Sequence, residues 1–427
     1  MSRRNRPREK WEAVKARQTQ WQVARQACTS CQMPYLRWLE TSRRYAACPA
    51  IFDGDHVLTF ADLAVAISRA PLARAPVIAR SGSLDFFVEI LRAWRDGQAV
   101  IPVEGQALVP VLAVPPASGI CLVKYTPGAA GIPRGIFFNS AQVIADGDRL
   151  VAAMGLTPDV PNLAVISPAH SYGFSNLVLP LILHGVPIHF AQVPFPRAVE
   201  EIFKQHAALV VPAVPSMWRA WHRSGILKNA PISLALSAGS PLPLALENEV
   251  FAAAGLKIRN FYGASECGGI SLDTTDNPRE SAAAVGTPLP GVLLTTGLDG
   301  RLLVASTSVA TAYDSPRADD LLGNGRYLTR DLGLIHTAGQ IHLTGTIGGA
   351  INVAGRKVSP TKVEAALLAT GLVRWVKVFG IPSTDPERFE EISADIELVE
   401  TIALDRVKAA LCETLQTWEL PRHWKIK

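Results

Sequence analysis

No run of about 18 apolar residues goes unbroken anywhere in the chain, so no segment is long and greasy enough to be read as a membrane-spanning helix. The best approach to one, "NLVLPLILHGVP" at 176–187, is interrupted by prolines and by His184. The N-terminus shows no charged-then-apolar signal pattern, which predicts a cytoplasmic protein. Cysteine is sparse, with six in 427 residues. One C-x-x-C, Cys28 and Cys31, is followed by no second pair and by no histidines at zinc spacing, so a structural metal centre is not expected. There is no internal repeat and no low-complexity tract.

Net charge is also scarce outside one place. Residues 1–26 carry eight Lys and Arg against Glu9 and Glu12; with +5 for the whole chain, the other 401 residues sum to −1. A basic head of this kind can meet nucleic acid, a membrane surface or an acidic carrier protein, or simply be a solvated leader. A nucleic-acid role rests on that charge alone and is the weakest of these readings.

What the chain does contain is alternation. Apolar runs at 75–80, 119–126, 162–167, 186–191, 208–214, 232–238 and 256–262 are separated by segments with apolar residues every three or four positions, such as "PRAVEEIFKQHA". Strand–helix alternation predicts an α/β fold whose parallel sheets are covered by helices. From about 285 to 345 the pattern turns to short strands with Gly and Pro turns, which predicts a small barrel-like piece. After "TGTIGG" a compact α+β unit follows. The expected division is a basic leader at 1–45, a large unit at 46–345 and a small lid unit at 346–427.

Certain fragments carry chemistry. "NFYGASECGG" places an aromatic ring, a hydroxyl and a carboxylate where a strand ends, with Gly263 as the residue permitting a sharp turn. In parallel sheets ligands bind beyond the carboxyl ends of the strands. "KYTPGAAGIPRG" at 124–135 spaces three glycines like a loop that wraps phosphate with backbone N–H groups.

Taken together, "YTPGAAGIPRG", "SAGSPLP" (237–243), "NFYGASE" (260–266), "YLTRDLG" (327–333) and "GRKVSPTKVEAAL" (355–367) occur in an order that resembles the adenylate-forming superfamily of acyl- and aryl-CoA ligases, fatty acyl-AMP ligases and adenylation domains. The resemblance covers roughly residues 50 to 425. It implies activation of a carboxylic acid, fatty or aromatic, by ATP and Mg2+ to an acyl-AMP. Transfer to the thiol of CoA or of an acyl carrier protein comes next. The stretch "SPAHSYGFSN" lacks the aspartate that an amino-acid activator would offer. The resemblance assigns the adenine to Tyr262, the α-phosphate to Ser265, magnesium to Glu266 and the ribose hydroxyls to Asp331. Thr126, Gly128, Gly131 and Arg134 would clasp the phosphates. Gly239, Ser240 and Gly263 would line the adenylate and acyl pocket. His170 would stand at that pocket or at the thiol tunnel, with Trp218 among the apolar lining.

The sequence departs from the family where the chemistry belongs. Pro127, Ala129 and Ala130 replace hydroxyl-bearing positions of the loop, and Arg134 replaces a lysine. Thr346 stands where the family has an arginine, and Gly348 where it has a hinge side chain. A P-x-x-x-x-G-K segment, which supplies a catalytic lysine, would fall beyond Lys427. These departures leave two expectations: an impaired ligase, or a relative that binds an acyl group, an adenylate or a carrier protein without activating acids.

Overall fold

The structure, a computed structural model, describes residues 32–126, 133–191, 193–297, 299–346, 351–353, 356–383, 390–400, 404–412 and 414–426. The basic head, Cys28, Cys31, the loop residues Gly128 and Gly131, and Gly348 all lie outside these.

Two sheets build the large unit. The first has nine strands. Its inner strands, Pro49–Asp53, Ile188–Phe190, Asn162–Ala164, Leu209–Ala213, Ile232–Ser237 and Ile258–Ala264, run parallel to one another. Leu209–Ala213 is buried at every position, as a strand covered on both faces must be. The second sheet is mixed. Val77–Arg80, Val100–Val103 and Ile120–Thr126 are parallel, but Arg134–Asn139 folds back antiparallel on Ile120–Thr126. Few residues separate those two strands, and a short connection can only join antiparallel neighbours.

Helices Met33–Arg44, Asp85–Arg95, Ser140–Met154 and the segment 171–184 fill the space between the two sheets. Their side chains share one core with residues of both, including Trp38, Trp94, Phe174, Ile51 and Leu122. Ser140–Met154 begins with a capping box between Asn139 and Gln142 and ends on Gly155 at φ +63°. The segment 171–184 contains a π-helical turn, Phe174–Val178. Pro180 lies in the turn that comes after it and has no N–H to donate. Leu179 N–H reaches back to Phe174 O, and the carbonyl of Asn176 takes the Asn162 amide at 3.0 Å instead.

A cluster of buried charges pins helix Leu244–Ala254 to the sheet. Glu247 bonds Lys257 and, at 2.8 Å, Arg279 Nε; Lys257 also reaches Asp273 at 2.6 Å. These four side chains are at most 8% exposed.

Between residues 293 and 346 lies the barrel-like piece, a five-stranded antiparallel sheet in which Arg326–Ile335 pairs with Ile341–Thr346, while Ala312–Tyr313 crosses to pair with Arg134–Asn139 of the second sheet. The small unit has helices Pro360–Ala369 and Leu404–Cys412 on a sheet of Val373–Pro382, Glu390–Leu398 and His423–Ile426. Among the described residues no helix is long and apolar enough to cross a membrane.

Candidate functional site

The strand Ile258–Ala264 and its antiparallel neighbour Gly268–Leu272 form a hairpin that carries "YGASECGG". The strand continues two residues past Tyr262, and the left-handed turn falls to Gly268, at φ +72°. Gly263 has no positive φ. It is small because a Cβ there would stand 2.7 Å from the carbonyl of Gly268. A Cβ on Gly268 would meet the Asp146 carboxylate at 2.0 Å. Asp146 is buried, accepts Gly269 N–H at 3.1 Å and Ser175 Oγ–H at 2.6 Å, and so ties the hairpin to the helices beneath it.

Tyr262 and Asp331 are 69 residues apart in sequence, yet the phenol donates to Asp331 Oδ2 at 2.6 Å. Burial drives the Tyr262 pKa well above its ordinary value, and the adjacent carboxylate adds to this. The other carboxylate oxygen, Oδ1, accepts the Thr346 hydroxyl at 2.9 Å. Asp331 and Thr346 sit opposite each other in the register of the two barrel strands.

Glu266 is also buried, and its Oε1 accepts the Tyr313 hydroxyl at 2.9 Å. Burial raises its pKa, against the opposing pull of the Tyr313 bond and the Arg134 charge. Arg134, expected to reach a phosphate, is directed elsewhere. Its guanidinium forks onto Asp320, donates to Ser315 O at 2.9 Å and lies 3.7 Å from the centre of the Tyr313 ring. Asp320, Arg134, Tyr313 and Glu266 therefore form one chain of contacts. Among the described residues there is no group of three or more His, Cys, Asp or Glu that could cage a metal. One buried carboxylate without a cage suits a magnesium ion that arrives on a nucleotide's phosphates, since this ion keeps most of its ligands from water and phosphate.

Ser265 accepts a hydrogen bond from Ser171 Oγ at 2.9 Å. His170 precedes that residue and is open to solvent, 74% exposed, with Nε2 3.0 Å from Glu104. Trp218, expected among the pocket lining, is instead fully buried in a core beside Trp221, and its indole donates to Leu236 O at 3.1 Å. Gly239 (φ +81°) and half-buried Ser240 come after the carboxyl end of strand Ile232–Ser237, the parallel neighbour of the Tyr262 strand. Thr126 ends the strand that leads into the glycine loop. Two strand positions before it, Lys124 is buried between the rings of Phe138 and Phe174, and burial lowers its pKa.

Tyr313, Asp320, Ser171 and Lys124 join the site without having stood out in the sequence. Ser171 had a signal, since it adjoins His170 within "SPAHSYGFSN". Asp320 lies 186 residues from Arg134, and no local pattern announces the pair.

Comparison with known proteins finds relatives of the whole fold. The family described as "AMP-binding enzyme" matches residues 41–312. A probable 2-succinylbenzoate–CoA ligase of Mycobacterium tuberculosis is 27% identical over 322 residues, 72% of this chain and 79% of that protein. An anthranilate–CoA ligase of Pseudomonas aeruginosa is 28% identical over 278 residues, 58% of this chain and 50% of that protein. Among solved structures, the o-succinylbenzoate CoA synthetase MenE of Bacillus subtilis, in complex with its acyl-adenylate intermediate, superposes with a TM-score of 0.65 at 17% identity over 92% of this chain and 94% of that one. ATP-bound MatB of Rhodopseudomonas palustris gives 0.62 at 18% identity over 91% and 94%.

Proposed function

The chain belongs to the AMP-binding enzyme family, and from that premise we propose that it activates a fatty or aromatic carboxylic acid with ATP and passes the acyl group to a thiol, of CoA or of an acyl carrier protein, in the cytoplasm. A carboxylate oxygen of the acid attacks the α-phosphorus, the bond to the β-phosphate oxygen breaks and pyrophosphate leaves. The thiol sulfur then attacks the acyl carbon and AMP departs. We place the division between the large and small units at residues 345 and 346.

The observation that carries this reading is the meeting of Tyr262 and Asp331 just past the point where Ile258–Ala264 stops pairing with its parallel neighbour Ile232–Ser237. The Tyr262 ring offers a face for adenine, and Asp331 offers two acceptors for ribose hydroxyls. Ser265 would hold the α-phosphate, with Ser171 fixing its hydroxyl. Gly239 and Ser240 would line the adenylate and acyl pocket, with Gly263 holding the neighbouring hairpin close. Thr126, Gly128 and Gly131 would supply the phosphate loop. His170, exposed at the rim, would face the thiol. Magnesium, as part of the nucleotide substrate, would lean on Glu266 and neutralise phosphate charge. Burial works against ionising that carboxylate, and the Tyr313 hydrogen bond and the Arg134 charge are the chain's counterweights.

A second reading, a binding relative that holds an acyl-adenylate or a carrier without activating acids, is favoured by one feature. The cation of Arg134 is already committed to Asp320. Exchange of labelled pyrophosphate into ATP, run with Mg2+ and a panel of fatty and aromatic acids, separates the two. Acid-dependent exchange supports the ligase. No exchange from a protein that still binds AMP supports the binding relative.

A further inference from the structure

The carboxylate of Asp331 has both of its oxygens engaged, and its proposed role as the ribose anchor is the reading on which this inference rests. A vicinal diol binds a carboxylate by donating one hydrogen bond to each oxygen. Here Tyr262 donates to Oδ2 at 2.6 Å and Thr346 to Oδ1 at 2.9 Å. The two donors differ in kind. Tyr262 is partly buried and carries the ring on which a base would lie. Thr346 is exposed, so its hydroxyl can leave Asp331 for water. Its contact is not an accident of a loop. Thr346 and Asp331 are register partners on adjoining strands, and the Thr329 hydroxyl accepts the Asp331 backbone N–H at 3.1 Å and donates to the carbonyl of the same residue at 3.1 Å.

We propose that Thr346 is a ribose surrogate: in the empty protein its hydroxyl occupies the acceptor that a ribose hydroxyl needs, and it thereby sets the selectivity of the nucleoside site. A ligand bearing both ribose hydroxyls has to displace it. A ligand lacking them leaves the contact in place. The residue that replaces a cation in this family position thus acts as a competitor as well as an omission.

The test is calorimetric titration of wild type, T346A and T346S with AMP and with 2′,3′-dideoxy-AMP. Competition predicts that T346A binds AMP about tenfold more tightly, the size of one hydrogen bond to a charged group. It also predicts that T346A leaves dideoxy-AMP within roughly twofold, and that T346S behaves as wild type. AMP bound no more tightly by T346A, or both nucleotides tightened equally, overturns the inference while leaving the adenylate site standing. If none of the three proteins binds AMP, the adenylate reading of the site falls, and the inference with it.

Discussion

Replacing Arg134 by methionine separates a structural cation from a phosphate ligand. The guanidinium side chain is 6% exposed and that of Asp320 12%, so the pair is effectively desolvated. R134M keeps much of the side chain's length but takes the fork away from Asp320, whose Oδ2 still accepts the Arg317 N–H at 2.7 Å. Breaking a buried pair from one side costs about 3–5 kcal/mol, of which the lost contact with the Tyr313 ring accounts for about 0.5–2. Unfolding entropy near the midpoint is about 2 cal/mol/K per residue, so a unit of roughly 300 residues loses about 0.6 kcal/mol per degree, and the midpoint should fall by about 5–8 °C. Melting followed by circular dichroism reads that shift. ATP titration at a temperature where both proteins are folded reads the other half, and the dissociation constant should stay within about threefold. Because D320A breaks the same contact, R134M/D320A should lose less stability than the two single variants combined. Unchanged melting with more than about a tenfold loss of ATP affinity would refute the reasoning, since the guanidinium would then have to leave Asp320 for the phosphates.

Other perturbations act on the same contacts and their neighbours. D331A should weaken AMP by at least about tenfold, since it removes acceptors for charge-assisted hydrogen bonds, and should leave pyrophosphate affinity alone; titration with each ligand checks it. G268A forces a left-handed alanine against the Asp146 carboxylate and should cost about 2–5 kcal/mol in denaturant unfolding, with Gly269 amide protection reduced in hydrogen exchange. His189 bonds His206 at 2.7 Å, and burial followed by that neighbour's charge depresses its pKa to about 4. The unfolded chain takes up the proton near pH 6.5 while the folded one resists until about 4, so this contribution is whole above the upper value and lost as pH falls. Urea midpoints should show about 1–2 kcal/mol less stability at pH 5 than at pH 7, a difference that H189F reduces while the burial of His206 keeps a remainder.

The parts of this molecule that were legible in sequence are those where local chemistry has one solution. Short apolar runs such as "ALVVPAV" suit strands buried on both faces, and the seven such runs all contain strands, whereas the longer run at 176–187 is mostly helix. The motif order announced the pairing of Tyr262 with Asp331 because both residues belong to short, characteristic fragments. The contacts that qualify the site were not legible, because each joins distant segments. Arg134 looked like a free cation until Asp320 was placed beside it. Trp218 looked like pocket lining because an aromatic near a loop reads the same whether it faces a ligand or a core. Gly263 was credited with a turn that belongs to Gly268, since sequence shows that a glycine is present but not which steric demand keeps it. Thr346 was visible as a departure, whereas its bond to Asp331 depends on strand register.

The π turn at Phe174–Val178 has a bearing on how the site tolerates length changes. That turn holds one residue more than an α-helix of the same rise. Removing the surplus residue would let the segment relax to ordinary α-helix of the same rise, with the turns on either side kept in phase, so Ser171 and His170 upstream would hold their places near Ser265. A deletion in the regular turn Leu179–His184 has no such slack and would swing everything upstream by about 100° around the axis and draw it back by about 1.5 Å. The surplus residue is therefore a reserve of length that shields the rim of the site from a one-residue loss.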